Sequence, residues 1–152
     1  MIKFKDLKFE DLDDLAVQRL IFDTKELDSI LKAHLFIERL LESMIEERLR
    51  KPDSFLKNQI SFTLKVDLAH SLGIISDRIL TAIKGLNSIR NKYAHKFDYH
   101  VSEEELNCLK LDWEDVQNKA YEAALKKGIE DATMLACLFL CWTLLHFRES
   151  EK

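Results

Sequence analysis

The chain has 152 residues, a net charge of −4, three glycines and a single proline, Pro52. This length gives one domain with a real core and no need for staples. The charge excludes a globally basic nucleic-acid binder but leaves room for a local basic patch. Abundant Leu, Ile, Lys and Glu with so few turn formers point to an all-α protein.

Residues 6–20 alternate acids with Leu7, Leu12, Leu15, Val17 and Leu20, which predicts a short helix. Thr24 is placed to cap the next helix, which runs to about Arg50. Its apolar stripe reads Leu27, Leu31, His34, Glu38, Leu41, Ile45 and Leu49 at steps of three and four. Glu38 falls in the middle of that stripe, where a carboxylate is either at a solvated rim or paired with a buried cation. Lys51-Pro52-Asp53-Ser54 breaks the helix, and residues 59–72 form another that Gly73 ends.

Ser76 caps a helix predicted to reach about His95. Its stripe is Ile79, Ile83, Leu86, Arg90, Tyr93 and Phe97, so Arg90 lies on the core-facing side and needs a partner or a cleft. Glu38, the other charge on an apolar stripe, is the candidate partner. After a connection over residues 97–101, Ser102-Glu103-Glu104-Glu105 is a capping box for a short helix to about Leu109. Asp112 opens a helix that Gly128 stops. The last helix, about 130–148, is apolar almost all round and is expected at the centre of the bundle. Its apolar run, Ala132 to Phe147, is shorter than the ~20 residues of a membrane span. No membrane association is therefore expected.

Cys108, Cys137 and Cys141 form no CxxC pair, so zinc and dithiol redox signatures are absent. Cys137 and Cys141 read as small buried hydrophobes. An odd cysteine count without a signal peptide fits a cytoplasmic protein. No P-loop, HExxH, GxSxG or dinucleotide fingerprint occurs, and no metal or cofactor is expected.

The chemistry concentrates in Arg90, Asn91 and His95. Histidine exchanges protons near neutral pH, arginine matches a phosphate, and asparagine orients an imidazole or holds an oxygen. That set suffices to cleave RNA without a metal: the 2′-hydroxyl attacks the adjacent phosphate while cationic donors stabilise the developing charge. Between Asp77 and His100 there are five Lys or Arg against two Asp, a basic region in an acidic chain. Lys84, Lys92 and Lys96 are the candidate RNA contacts there, although each also suits a solvated helix face. His34, His70 and His146 read as structural or surface residues, and His100 is a candidate to line the same cleft. On one regular helix Arg90 and His95 diverge by about 140°, from five steps of ~100°. Either a distorted helix end or a second copy of the chain would bring the two types of side chain together.

Ile89-Arg90-Asn91-Lys92-Tyr93-Ala94-His95 resembles the Arg-x(4–6)-His motif of the HEPN superfamily. With Leu68-Ala69-His70-Ser71-Leu72-Gly73-Ile74-Ile75 upstream, the branch it resembles contains mannitol-operon-repressor-like proteins; the resemblance covers about residues 30–97. It implies a single HEPN-type antiparallel helical bundle over 1–152, with additional N- and C-terminal helices. It also implies a homodimer with two motif helices at one cleft, Arg90 and His95 as catalytic residues and Asn91 as their polar companion. The implied activity is a metal-independent endoribonuclease of the toxin–antitoxin or phage-defence kind, with an antitoxin or regulatory protein as partner. Some relatives carry a modifiable tyrosine two places after the histidine; this chain has Phe97 there, with Tyr99 nearby. Repressor-like relatives lacking the intact motif imply the alternative, a non-catalytic regulatory or interaction module.

Overall fold

A long helix in the first third of the chain organises the molecule. In the computed structural model, which describes residues 6–22 and 25–150, helix α2 (Lys25–Arg48) packs on three others. These are α4 (Phe62–Ser71), α5 (Asp77–His95) and α8 (Ile129–Ser150). Around this centre lie α1 (Phe9–Val17), which runs into a π-helical turn Gln18–Phe22, the one-turn α3 (Asp53–Leu56) and the short α6 (Glu103–Asn107). Helix α7 (Asp115–Lys127) packs on α8. Among the described residues there is no strand, so the fold is all-α.

The signals at helix ends work as expected. Ser76 Oγ accepts from the Ile79 amide at 3.3 Å, and Ser102 exchanges bonds with Glu105 in a complete capping box. Gly73 takes the left-handed φ of 70° that follows α4. Thr24, expected to cap α2, lies outside the described residues. Three boundaries move. Helix α4 begins at Phe62 rather than 59, because Ser61 Oγ caps it by accepting from the Leu64 amide at 3.2 Å. The Lys51–Ser54 break contains the start of α3, because Pro52 is well placed at the beginning of a helical turn. And Asp112 does not cap α7: it sits at φ 46°, and Glu114 with Gln117 forms the capping box instead.

Helix α2 is rotated relative to the stripe expected from its periodicity. Its buried face is Ile30, Ala33, Ile37, Leu40, Leu41, Met44 and Ile45, whereas Leu31 is exposed. His34 and Glu38 therefore flank the core rather than sit in its centre. The reason is that α2 carries apolar residues on more than one side, including exposed Leu35 and Phe36, and only the Ile30–Ile45 stripe runs without a polar break.

Helix α8 shares the centre with α2, packing on α2, α6 and α7. Ala132, Ala136, Cys137, Leu140 and Leu144 are buried against the bundle, while Met134, Leu138 and Trp142 face outward. It is the one described helix long and apolar enough to cross a membrane. All three cysteines are free thiols, and burial pushes that of Cys137 up to about 12. On α5 the buried positions are Ile79, Ala82, Ile83, Leu86 and Ile89. Gly85 lets α5 approach the end of α6, since a Cβ there would collide with Cys108 Sγ.

Candidate functional site

Past Ile89 the core-facing stripe of α5 continues into Arg90 and Tyr93, both half-buried, and polar groups take over from packing. Tyr93 Oη donates to Glu26 Oε2 at 2.5 Å and accepts from the Val101 amide at 3.2 Å. Burial, reinforced by the bond to Glu26, pushes its hydroxyl well above the usual tyrosine range. Tyr99 donates to Glu105 Oε2 at 2.7 Å, and Lys92 pairs with the other Glu105 oxygen. Desolvation alone would raise the Glu105 carboxyl, but bonds from Lys92, the Ser102 amide and Tyr99 hold it down at about 2. These contacts tie the C-terminal end of α5 to the start of α2, the 96–102 connection and α6.

A cleft of about 580 Å³ opens along the polar side of α5. It is lined by Thr63 of α4 and by Lys84, Asn87, Ser88, Asn91, Lys92, His95 and Lys96. Five of the sequence-predicted site residues thus share one surface: Lys84, Asn91, Lys92, His95 and Lys96. Two of these lysines also pair within the chain, Lys84 with Asp67 at 3.2 Å and Lys92 with Glu105. His100 does not line this cleft; its ring lies 2.5 Å from Arg19 Nη1 and 3.4 Å from Glu26.

Arg90 stands beside the cleft rather than in its lining, and its Nη1 donates to Asn91 Oδ1 at 3.1 Å. Glu38 is not its partner. Glu38 accepts from Lys65 Nζ at 2.6 Å, and Glu42 accepts from the same ammonium at 2.7 Å. Lys65 lies on α4, which packs on α2, and takes the carboxylate that the sequence pattern assigned to Arg90. Helix α5 stays regular to its end, with the Lys96 amide donating to the Lys92 carbonyl at 2.9 Å. The divergence of Arg90 and His95 therefore persists in the single chain.

Asn87, Ser88 and Thr63 are the lining residues that the sequence reading passed over. The signal for two of them was available: positions 84, 87, 88, 91 and 95 repeat at three and four, a polar stripe on the side of α5 away from Ile83 and Leu86. Asn87 also reaches out of the cleft, its Oδ1 lying 3.1 Å from His34 Nε2. His34 itself is stacked on Phe62 with ring centres 3.9 Å apart. Among the described residues no group of three or more His, Cys, Asp or Glu is gathered to hold a metal ion.

No protein-family model, no curated protein and no solved structure matches the chain.

Proposed function

We propose that the chain is a HEPN-type, metal-independent endoribonuclease that works as a homodimer. The observation that carries this reading is the cleft that sets His95 and Asn91 among Lys84, Lys92 and Lys96 on one face of α5. Its side chains are donors and cations without a lining carboxylate, which suits a polyanionic strand. In this mechanism His95 accepts the proton of the RNA 2′-hydroxyl as that oxygen attacks the adjacent phosphorus. The bond to the 5′-oxygen breaks, a proton returns to that leaving oxygen, and a 2′,3′-cyclic phosphate remains. Arg90 stabilises the charge on the phosphate oxygens, and Asn91, which already holds the guanidinium at 3.1 Å, fixes its direction. The second copy supplies the Arg90 that one regular helix keeps away from its own His95. The chain is cytoplasmic in this reading, and an antitoxin or regulatory protein would act by covering the cleft.

The test is RNA cleavage by purified protein with EDTA present. His95→Ala abolishes cleavage and leaves the melting temperature and the dimer intact; cleavage that survives the substitution refutes the assignment. A second reading, a regulatory module in which the motif is only a polar seam, draws on the intramolecular pairing of Lys84, Lys92 and Arg90. It expects no RNA to be cut by the wild-type chain and a strongly lowered melting temperature for Arg90→Ala.

A further inference from the structure

We propose that Asn87 forms a second oxyanion subsite in the α5 cleft, binding a phosphate oxygen of the strand beside the scissile one, and that His34 is the positioning residue that aims it. The proposal rests on the reading of the cleft as a polynucleotide-binding surface, and adds residues to it that the motif does not contain.

An amide group has one acceptor side and one donor side. Asn87 Oδ1 is engaged by His34 Nε2 at 3.1 Å, behind the cleft. The amide is planar, so occupying its oxygen from behind turns its NH₂ group toward the cleft that Asn87 lines. His34 is suited to this role. Burial holds it below the usual histidine range, against the raising effect of Asn87, and nearby Arg90 acts in the same direction as burial. It is therefore neutral near pH 7, with one N–H to give, and that N–H sits on Nε2. Stacking on Phe62 at 3.9 Å fixes the plane of the ring.

Asn91 repeats the arrangement one turn on. Its Oδ1 accepts from Arg90 at 3.1 Å, and it too lines the cleft. Positions 87, 91 and 95 succeed one another at about 6 Å along α5. The cleft thus presents two amide donors in file with His95, and with Lys84 at the far end. Both amide oxygens have a partner within the chain at 3.1 Å, so the amides turn N–H donors to the cleft, and donors set among lysines suit phosphate oxygens.

The experiment uses a short single-stranded deoxyoligothymidylate, which lacks the 2′-hydroxyl and so reports binding without cleavage. Affinity is read by fluorescence anisotropy at low salt, and the Asn87 side-chain NH₂ and His34 ring nitrogens by NMR. The expected results are an Asn87 NH₂ signal that shifts on binding and a neutral His34 protonated at Nε2. His34→Phe, which keeps the stacking and loses the donor, weakens binding about tenfold. His34→Gln, whose amide replaces the Nε2–H donor, restores it to within about twofold of wild type. Asn87→Asp keeps an acceptor for His34 but sets a negative charge in the cleft, and weakens binding more than Asn87→Ala. An Asn87 signal that does not respond, a folded His34→Phe variant that binds like wild type, or no binding by the wild-type chain overturns the proposal. If His34→Phe fails to fold, the Gln and Asp variants decide. His34-dependent binding in a chain that cuts no RNA leaves the subsite standing and removes the ribonuclease reading alone.

Discussion

Tyr93→Phe tests whether the end of α5 is held by one hydroxyl. That oxygen donates to Glu26 at 2.5 Å and accepts from the Val101 amide at 3.2 Å. Both partners are buried, Glu26 at 6% exposure and Val101 at 4%. A hydrogen bond to a charged group is worth about 1.5–3 kcal/mol, and a buried amide left unpaired costs about 1–3 kcal/mol. The two terms overlap, since the connection at Val101 can relax, and a net loss of about 3 kcal/mol is expected. For a chain of this size that lowers the melting temperature by about 6–12 °C. Differential scanning calorimetry on Tyr93→Phe, Glu26→Ala and the double variant measures it. The second substitution should cost at least about 1 kcal/mol less in the background of the first, because both remove the same bond. A fall of less than about 2 °C, or strict additivity, would show that the hydroxyl is solvated and that the latch does not exist. Because His95 lies two residues beyond Tyr93, the proposed ribonuclease activity should fall with the latch even at temperatures where the variant is fully folded.

Two further perturbations follow from the ion pairs. Lys65→Met leaves Glu38 and Glu42, previously 2.6 and 2.7 Å from the ammonium, facing each other and largely desolvated. Destabilisation of about 2–4 kcal/mol is expected near neutral pH, and replacing both carboxylates by leucine as well should recover most of it. The sign of the pH dependence is fixed. Desolvation opposes charge on both Glu42 and Lys65, but bonds from Lys65 and Arg39 lower Glu42, and bonds to Glu38 and Glu42 raise Lys65. The Glu42 contribution is present above the ordinary carboxyl value and lost as pH falls through its lower folded value. The Lys65 contribution is present below the ordinary lysine value and lost as pH rises through its higher one. The deficit of Lys65→Met in urea melts should therefore shrink toward about pH 4, and a deficit constant with pH would refute the carboxylate repulsion. Glu105, held at about 2 by Lys92, Ser102 and Tyr99 against desolvation, stabilises above the ordinary carboxyl value and ceases to do so as pH falls toward 2. Glu105→Gln should flatten the fall of stability with acid between pH 5 and 2; an unchanged slope would show that other carboxylates carry it.

The helix ends were legible because their signals are local. Ser76, Ser102 and Gly73 each act within four residues, so the chain itself contains both partners of every contact. The phase of α2 was not, because it depends on what packs against the helix. Leu31, Leu35 and Phe36 are as apolar as Ile30 and Ile37, and periodicity alone chose a stripe about one position away from the buried one. The same error gave Glu38 its supposed partner. Two charges placed on two apolar stripes look complementary until a third helix supplies Lys65, and long-range pairing of this kind leaves no spacing signature.

The site separates along the same line. Asn91, His95 and the three lysines fell on one cleft because they share a helix, and a helix's angular period is a property of the sequence. His34 escaped because its role exists only across helices, through a bond to a residue 53 positions away. The period also constrains Arg90. A distorted helix end and a second copy were the two ways to bring an arginine to His95, and α5 remains hydrogen-bonded through Lys96. Distortion is thereby removed from the choice. The proposed ribonuclease then takes Arg90 and His95 from different copies, and that proposal has a sharp consequence. Mixing an inactive Arg90→Ala chain with an inactive His95→Ala chain should restore cleavage, because half of the sites in the mixed dimer have neither defect at one shared phosphate. Two defects that never complement would refute the shared site.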